Sequence, residues 1–330
     1  MRINAVRIHA YGGVEQLRYE AIELDQPGPG QALIRHKAIG LNFADLHNRE
    51  GRYPLPSLPH VLGGEAAGVV EAVGPGVVDV KIGDRVAYAA GGPAFPPGSY
   101  ADARLFDASR LVVLPDEIDD VTAAAMIVKG LTTQYLLKSV YPVGPGDTIL
   151  VHAAAGGVGL ILTQWARHLG ARIIGVVSTA EKAALARDNG CHHVLVASEG
   201  DLVRRVRTLT AGEGVPVVFD SVGRDTFDMS LECLRPRGTL VLFGTASGPV
   251  PPLDLFRLNK MGSLTVTSAA FAWFFRSRPE LLARAADLFD VVLRGIVKIP
   301  VNQQFQLADV AKAHQALESR KTLGASVLIP

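Results

Sequence analysis

Apolar and polar positions divide the chain into two regimes, and the second regime has the stronger pattern. From residue 148 onward, short apolar runs rich in β-branched residues are followed by stretches in which apolar residues recur at helical spacing. This alternation predicts a parallel sheet with helices on both faces, of the doubly wound α/β class. The predicted strands cover residues 148–151, 172–177, 194–196, 215–220, 239–243 and 264–267, and the predicted helices cover residues 160–169, 181–189, 201–210 and 226–234.

The first regime consists of short β-type runs separated by glycine and proline. Residues 3–8, 33–39 and 66–73 are predicted strands, and the last of these is closed by Gly74-Pro75-Gly76. Such a pattern is typical of a barrel or sandwich-like lobe. Helical spacing occurs only near residues 42–49 until a longer helix is predicted over residues 121–137, with Asp119 or Asp120 as its cap.

The C-terminal part returns to longer helices. Helices are predicted over residues 279–293 and 308–319, and a closing strand over residues 325–329. We expect this tail to fold back onto the first lobe.

Length and charge narrow the function classes. A chain of 330 residues favours about two domains. Its 33 basic side chains are balanced by 32 acidic ones, so no nucleic-acid partner is expected. The N-terminal residues lack the apolar run of a signal peptide, and other apolar runs are too short or too interrupted by charge to span a membrane. We therefore expect a cytoplasmic enzyme without membrane insertion.

A glycine-rich turn joins the first strand of the second regime to the helix that follows it. Aligned with the dinucleotide-binding fingerprint, the three key positions are Ala154, Gly156 and Gly159, so alanine replaces the first glycine. Such a turn directs backbone N–H groups and the positive end of a helix dipole at one point, which suits a pyrophosphate. Glycine clusters after strands are often only turns, but here the strand before, the helix after and the later alternations match the context that the fingerprint requires.

The end of the second predicted strand indicates which dinucleotide binds. Enzymes that select NAD usually carry an acidic residue there, but this chain has Ser178-Thr179-Ala180. Lys182 adds a positive charge that would attract the extra phosphate of NADP, so we expect NADPH. In the alternative, Ser178 or Thr179 only caps the following helix and Lys182 is solvated, and the two roles are compatible.

Several motifs together resemble the zinc-free quinone oxidoreductases of the medium-chain dehydrogenase/reductase superfamily, over the whole chain. The motifs are KAIGLNFAD at residues 37–45, GGEAAG at 63–68, GDRV at 83–86, AAGGVG at 154–159, DSVG at 220–223, LESR at 317–320 and LIP at 328–330. The resemblance implies a mostly β GroES-like barrel domain from residues 1–123 and 270–330. It implies that a six-stranded Rossmann domain of residues 124–269 is inserted there, with the active site in the cleft. It also implies an NADPH:quinone oxidoreductase acting on a small-molecule quinone, and a homodimer paired through residues 264–267.

The sequence can be tested against the metal site of other members of that superfamily. Metal-using relatives place a cysteine where this chain has Asn42, and a histidine–glutamate pair where it has Gly64 and Glu65. A catalytic zinc ion requires three protein ligands, and Glu65 alone cannot supply them. Cys191 and Cys233 are too few for a cysteine site and are interpreted as buried small hydrophobic residues. We therefore expect no metal.

The resemblance also implies the site residues. Those expected to line the cleft as catalytic residues are Asn42, Asp45 and Tyr53. Those expected to contact the cofactor are Phe43, His47, Lys129, Thr133, Ala154, Gly156, Gly157, Val158, Gly159, Ser178, Thr179, Lys182, Ser221, Val222, Phe243, Gly244, Thr245, Ser268, Ala269, Ala270 and Arg320. Structural alternatives remain open: Asp45 as a helix cap, Tyr53 as a loop packing residue, and Lys129 as an ion-pair partner.

Other readings are also open. Relatives often have a tyrosine near the adenine phosphate where this chain has Ala197, which weakens the preference for NADPH, and an arginine where it has Ser268-Ala269. The aromatic cluster at residues 271–275 forms either an apolar wall for a flat ring or a packing surface of the core or of a dimer. An NADPH-dependent enone or 2-alkenal reductase is the nearest alternative function, and a non-catalytic NADPH-binding sensor is an alternative of another class. The preferred acceptor and the proton donor are not apparent from the sequence.

Overall fold

The computed structural model describes residues 1–91, 95–319 and 322–330 of the chain. The chain divides into two compact units. The barrel unit comprises Met1–Leu131, Phe271–Leu293 and Ile299–Pro330, and the Rossmann unit comprises Thr132–Ala270 and Arg294–Lys298.

The Rossmann unit is built on a parallel six-stranded sheet, as the pattern of alternating runs predicts. In chain order the strands are β9 (Thr148–His152), β10 (Arg172–Val177), β11 (His193–Val196), β12 (Val215–Asp220), β13 (Leu234–Leu242) and β14 (Thr265–Ser268). Their order in the sheet is β11-β10-β9-β12-β13-β14. This order reverses direction between β9 and β12, where doubly wound folds bind dinucleotides at the carboxyl ends of the strands.

Helices connect these strands and cover the sheet with apolar side chains. They are α3 (Gly157–His168), α4 (Ala180–Asp188), α5 (Leu202–Leu209), α6 (Phe227–Cys233) and α7 (Leu255–Lys260). Side chains of β9, β10, β12 and β13 form a core with those of α5 and α6, for example Leu150, Val218, Val206 and Leu231. The fold class predicted from the sequence is confirmed.

The barrel unit contains two antiparallel-rich sheets. A three-stranded sheet has the order β2-β1-β4, and a larger sheet has the order β15-β16-β3-β5-β6-β8, with β7 also paired to β3. The strands are β1 (Arg2–Ile8), β2 (Arg18–Glu23), β3 (Gln31–Gly40), β4 (His60–Val61), β5 (Glu65–Val73), β6 (Arg85–Ala89), β7 (Ala103–Asp107), β8 (Val112–Val113), β15 (Val301–Gln306) and β16 (Ala325–Ile329).

The C-terminal strand pairs with the first regime of the chain, which confirms the expected fold-back. In β16, Val327 and Leu328 pair with Gly40 and Ile39 of β3. The helices of this unit are α1 (Phe43–Arg49), α8 (Arg278–Leu293) and α9 (Val310–Glu318), and α2 (Asp120–Tyr135) runs across the boundary between the units along the chain. Residues of both chain ends, such as Ile34, Leu46 and Leu328, share one hydrophobic core.

Among the elements that were not predicted, β2, β15 and α7 have sequences with weak periodicity. β2 is mostly exposed and charged, β15 is rich in glutamine, and α7 is short. β13 begins five residues before its predicted start, in a segment whose Arg235-Pro236-Arg237-Gly238 composition is typical of a turn. There the register with β12 shifts and Arg237 adopts a positive φ of 62°.

Within the described residues, no helix is both long enough and apolar enough to cross a bilayer.

Candidate functional site

The glycine-rich turn follows β9 and opens directly into α3. Ala153 takes a left-handed conformation with φ of 51°, and its carbonyl accepts a hydrogen bond from Gly156 N–H at 2.8 Å. Gly156 is the N-cap residue of α3 and supplies no side-chain capping bond. The N–H groups of the first helical turn are therefore left to a ligand or to solvent.

Close backbone approach requires glycine at position 159 and leaves little room at position 156. A Cβ atom at Gly159 would lie 2.3 Å from the Ala153 carbonyl oxygen and 2.8 Å from Ala154 Cα. A Cβ atom at Gly156 would lie 3.1 Å from the same carbonyl oxygen. The turn is thus a concave backbone surface at a helix N-terminus, made from residues 154–159, and its chemistry fits a pyrophosphate. Alanine at position 154 is tolerated because Ala153, not Ala154, adopts the left-handed conformation.

A buried carboxylate organises the loop at the end of β12. Asp220 is fully buried, and its Oδ1 accepts the N–H groups of Val222 at 2.7 Å and Gly223 at 3.1 Å. Its Oδ2 accepts the hydroxyl groups of Thr226 at 2.7 Å and Ser230 at 2.8 Å. Asp220 therefore fixes the backbone on which the predicted residues Ser221 and Val222 lie.

The Asp220 network extends to the strand that precedes the glycine turn. Ser230 Oγ lies 3.0 Å from Nε2 of His152, the last residue of β9. Burial lowers the pKa of His152, so its imidazole is neutral. The ends of β9 and β12 are thus joined through polar side chains. We did not assign Asp220, Ser230 or His152 to the site from the sequence, although a polar residue at the end of an apolar strand is a usable signal.

The loops after β12 and β13 lie against each other. Ala246 N–H donates to the Ser221 carbonyl at 3.2 Å, and Phe243 N–H donates to the Asp220 carbonyl at 2.9 Å. A Cβ at Gly244 would lie 2.8 Å from the Ser221 carbonyl oxygen. The structure therefore brings together the predicted residues of these two loops, which are Ser221, Val222, Phe243, Gly244 and Thr245.

The end of β14 borders that of β13. Ser268 pairs with Leu242, and Ala269 N–H donates to the Leu242 carbonyl at 2.9 Å. Ser268, Ala269 and Ala270 therefore lie at the same carboxyl edge of the sheet as the other strand ends. Arg320, also predicted as a cofactor contact, lies outside the described residues.

The residues predicted to select NADPH form the start of α4. Thr179 is its N-cap residue, and its hydroxyl accepts a 3.5 Å hydrogen bond from Lys182 N–H. A hydrogen bond with the Thr179 side chain also lowers the pKa of Glu181, which is exposed in the first helical turn. Thr179 therefore caps α4. Glu181 places a carboxylate next in the chain to Lys182, whose charge is predicted to bind the extra phosphate of NADP.

A polar cluster in the barrel unit occupies the positions where metal-using relatives carry ligands. Glu65 is fully buried, and its Oε1 accepts a 2.8 Å hydrogen bond from Asn42 Nδ2 and contacts the Lys129 ammonium group. Its Oε2 accepts Val128 N–H at 2.7 Å. Lys129 is 5% exposed, so this is a buried ion pair completed by an amide and a backbone donor.

The donor set of this cluster does not fit a zinc ion. Asn42 presents an amide N–H to Glu65, Gly64 has no side chain, and both Glu65 oxygens already accept hydrogen bonds. In the part of the chain that the structure describes, no group of three His, Cys, Asp or Glu side chains could hold a metal ion. The positive charge at this place is an ammonium group, Lys129.

Thr133 is placed on the same face of α2 as Lys129. The two residues are four positions apart, which sets them one helical turn from each other. Thr133 is fully buried.

The remaining predicted residues lie on and after α1. Asp45 completes a capping box with Asn42, because its Oδ2 accepts Asn42 N–H at 2.8 Å. His47 is buried and meets the half-exposed Tyr53 edge to face, with ring centroids 5.0 Å apart. Phe43 packs partly buried against the barrel core. Asp45 therefore caps α1, which is one of the alternatives left open by the sequence. Tyr53 packs on the His47 ring.

The aromatic cluster at residues 271–275 is divided between core and surface. Phe275 is buried and packs on Phe271, with ring centroids 4.4 Å apart, whereas Trp273 is 70% exposed.

The fold and the cluster together define a reductase-like architecture: a GroES-like barrel unit and a Rossmann unit with a nucleotide-type glycine turn. Comparison with known proteins gives the family. The alcohol dehydrogenase GroES-like domain profile matches residues 28–116, and the zinc-binding dehydrogenase profile matches residues 157–288. The chain belongs to the quinone oxidoreductase family of the medium-chain dehydrogenase/reductase superfamily.

Individual relatives match over nearly their whole length. A quinone oxidoreductase of Pseudomonas aeruginosa is 49% identical over 98% of this chain and 99% of its own. A 2-haloacrylate reductase of a Burkholderia species is 44% identical over 99% of both chains. The crystal structure of Escherichia coli quinone oxidoreductase complexed with NADPH superposes with a TM-score of 0.96 at 44% identity, covering 99% of this chain and 100% of that one. The resemblance inferred from the motifs is confirmed.

Proposed function

We propose that this chain is an NADPH-dependent reductase that transfers a hydride to quinones without a metal ion. The observation that carries the proposal is the cluster of Asn42, Glu65 and Lys129, which fills the place of a catalytic metal with an ion pair. The identities of 44–49% to enzymes named quinone oxidoreductases support it. The structure of the Escherichia coli relative bound to NADPH supports the cofactor.

The Rossmann unit supplies the groups that would hold the cofactor. The backbone of residues 154–159 would bind the pyrophosphate, and the loops after β12, β13 and β14 border that turn at the same edge of the sheet. When bound, NADPH supplies the hydride through its nicotinamide ring. The protein's own contribution is to fix this backbone in advance, and Asp220 does so for Ser221 and Val222.

The barrel unit would bind and orient the acceptor. A quinone is already electrophilic and delocalises incoming negative charge over its own ring, so it needs less polarisation than a simple ketone. Asn42, Asp45 and Tyr53 are the residues predicted to line the cleft. The buried ion pair of Glu65 and Lys129 would hold the Asn42 amide in a fixed orientation, because Glu65 accepts a hydrogen bond from it at 2.8 Å.

Reduction of enones or 2-alkenals is the second candidate activity. Its support is the 2-haloacrylate reductase, which is as similar to this chain as two of the quinone oxidoreductases. A 2-haloacrylate is an electron-poor alkene with a carboxylate, and it accepts a hydride at carbon in the same way as an enal or enone.

The test is a steady-state screen of NADPH and NADH against benzoquinones, naphthoquinones, enals, enones and 2-haloacrylate. We expect NADPH oxidation that depends on an added quinone and is unchanged by a chelator. Activity restricted to the alkenes would favour the second candidate. Tight NADPH binding with no acceptor reduced would contradict both activities and favour a nucleotide sensor.

The cofactor preference has its own test at the start of α4. Lys182→Ala removes the charge proposed to bind the extra phosphate, and we expect the ratio of NADPH to NADH affinity to fall about tenfold. Glu181→Gln removes the neighbouring negative charge and should raise the same ratio by a smaller factor. An unchanged ratio in Lys182→Ala would contradict the phosphate role.

The assembly and the division into domains stay predictions. β14 lies at the edge of the described six-stranded sheet, so pairing of two copies through this strand would give a homodimer. We also propose the domain limits and the cytoplasmic location that are expected from the sequence.

A further inference from the structure

The two carboxylate oxygens of Asp45 have different environments. The side chain is buried in the barrel unit, with 1% of the residue exposed. Its Oδ2 accepts two hydrogen bonds, from Asn42 N–H at 2.8 Å and from the Tyr100 hydroxyl at 3.0 Å. Its Oδ1 has no hydrogen-bond partner among the described residues. A Cβ atom at Gly64 would lie 3.6 Å from Oδ1, so this oxygen faces a backbone that carries no side chain.

Tyr100 is the last donor of a buried chain of hydrogen bonds with one direction. Arg49 Nη1 lies 3.2 Å from His314 Nδ1, and His314 Nε2 lies 3.1 Å from the Tyr100 hydroxyl. A guanidinium group can only donate, so His314 Nδ1 must accept. Burial lowers the pKa of His314 to about 3, so the imidazole is neutral and its single proton is on Nε2.

The direction of the remaining bonds follows from that tautomer. His314 Nε2–H donates to the Tyr100 oxygen, which leaves the Tyr100 proton to point at Asp45 Oδ2. The chain of hydrogen bonds runs from Arg49 through His314 and Tyr100 to Asp45. It cannot conduct protons inward, because arginine does not release one. Its effect is to hold Oδ2 as an acceptor, and a proton bound by Asp45 must therefore lie on Oδ1.

Burial places the titration of Asp45 near neutrality, and the neighbouring groups modify it. Burial raises the pKa of Asp45 to about 7, and the negative charge of Glu65 acts in the same direction. The hydrogen bonds from Asn42 N–H and Tyr100 and the positive charge of Lys129 oppose that increase. The titratable and charged groups that face Asp45 or its hydrogen-bond chain come from α1 and the residue after it, α2, α9, β5 and the segment before β7, and they are Arg49, Glu50, Lys129, His314, Glu318, Glu65 and Tyr100.

We infer that Asp45 holds, on Oδ1, the proton that the reduced acceptor takes up, and that Tyr100 and His314 are positioning residues acting through Asp45. The inference rests on the proposed reduction. A hydride adds two electrons and one hydrogen to a quinone and leaves a hydroquinone monoanion, which needs one proton to become neutral. An enone reduced at its β-carbon leaves an enolate with the same need. Asp45 gives up that proton, becomes a carboxylate stabilised by Tyr100, and is reprotonated before the next turnover.

The first test is the pH dependence of kcat with a naphthoquinone, between about pH 5 and pH 9. The wild-type rate should fall as the pH rises through about 7, where Asp45 loses its proton. Tyr100→Phe removes a donor that favours the ionised carboxyl, so this decline should move to higher pH by about one unit. Asp45→Asn should lower kcat about a hundredfold or more and abolish the decline.

A second buried tyrosine–histidine pair of the barrel unit provides the matched control. The Tyr88 hydroxyl lies 2.9 Å from His36 Nε2, and His36 Nδ1 lies 2.7 Å from the Ala101 carbonyl oxygen. That carbonyl can only accept, so His36 donates from Nδ1 and Tyr88 donates to Nε2, away from any carboxylate. Tyr88→Phe removes an equally buried hydroxyl and should leave the position of the decline unchanged.

The outcomes separate this inference from the proposed function. A pH decline at the same position in Tyr100→Phe, or an unaltered rate and profile in Asp45→Asn, would overturn the inference. Should Asp45→Asn fail to fold, Tyr100→Phe decides alone. If the wild type reduces no acceptor, the proposed function fails, and infrared spectroscopy tests Asp45 directly. A protonated-carboxyl C=O band that is lost near pH 7 and moves to higher pH in Tyr100→Phe is expected, and the absence of such a band near pH 5 would overturn the inference.

Discussion

Asp220 in the Rossmann unit and Asp45 in the barrel unit are both buried aspartates near predicted site residues, but their hydrogen bonds differ. Asp220 receives donors on both oxygens: two backbone N–H groups on Oδ1 and two hydroxyl groups on Oδ2. Asp45 receives two donors on Oδ2 and, within the described residues, none on Oδ1. Burial is the same, so the number and placement of donors distinguish the two residues.

The difference separates a structural carboxylate from one that can exchange a proton. A buried carboxylate with donors on both oxygens has its hydrogen-bonding capacity satisfied, and its role is to fix the backbone that donates to it. A buried carboxylate with one bare oxygen is easier to protonate, because desolvation disfavours its charge and fewer donors compensate. Asp220 therefore supports a loop in the Rossmann unit, whereas Asp45 can bind a proton in the barrel unit.

The largest effect is expected from Asp220→Ala. The substitution leaves the N–H groups of Val222 and Gly223 and the Ser230 hydroxyl without their acceptor, at about 1–3 kcal/mol for each buried group. We expect the free energy of unfolding to fall by about 4 kcal/mol and NADPH affinity to fall with it, because the loop of Ser221 and Val222 loses its support. Thermal unfolding and nucleotide titration measure the two effects.

Thr226→Val is the matched control for that substitution. It removes one of the donors to Asp220 but leaves the carboxylate and the two backbone bonds in place. Its cost should be about 1 kcal/mol, with NADPH affinity nearly unchanged. Equal losses in Asp220→Ala and Thr226→Val would show that the carboxylate does not organise the loop.

The titration of Asp45 should make the free energy of unfolding depend on pH. Its pKa of about 7 in the folded protein exceeds the value of about 3.9 expected in the unfolded chain. Between these values the folded state binds the proton and the unfolded state does not, so the contribution of Asp45 to stability decreases as pH rises from about 4 to about 7. Asp45→Asn does not titrate and should become more stable relative to wild type over this range, by up to about 4 kcal/mol.

Thermal unfolding of both proteins across that pH range checks the prediction. Asp220→Asn provides the comparison, since its carboxylate is held by donors on both oxygens. A stability difference between wild type and Asp45→Asn that is constant with pH would show that Asp45 is only a capping residue of α1.

The sequence predicted the Rossmann unit more completely than the barrel unit, for a physical reason. A parallel sheet buried on both faces produces continuous apolar runs, such as residues 172–177 and 215–220, whose bounds match β10 and β12. Half-exposed strands such as β2 and β15 carry polar residues and lack such a signal. The positions of Gly156 and Gly159 could be predicted because the backbone approaches both closely, and at Gly159 closely enough to exclude a side chain.

The polar networks could not be predicted, because their members are distant in the chain. Tyr100 and His314 are 214 residues apart, and His152 and Ser230 are 78 residues apart. Periodicity indicates which face of an element is buried, but it does not show which elements contact each other. The sequence left open that Lys129 is an ion-pair partner, but only the fold shows that it pairs with Glu65 and that both side chains are buried.

The smallest expected effect compares one hydroxyl donor from each network. Ser230→Ala removes a donor to Asp220, and Tyr100→Phe removes a donor to Asp45. Near pH 5 the lost bond to the carboxylate should lower the free energy of unfolding by about 1 kcal/mol in each variant, and each variant also loses a hydrogen bond to a buried histidine, His152 or His314.

The two variants should diverge as the pH rises. Asp45 ionises in the folded protein near pH 7, and its carboxylate depends on the Tyr100 donor more than the neutral acid does. The cost of Tyr100→Phe should therefore increase to about 2 kcal/mol near pH 8, whereas that of Ser230→Ala stays constant. Chemical unfolding at the two pH values measures both costs. Parallel costs at both pH values would mean that Asp45 and Asp220 are the same kind of buried carboxylate, and the distinction drawn from their donors would be wrong.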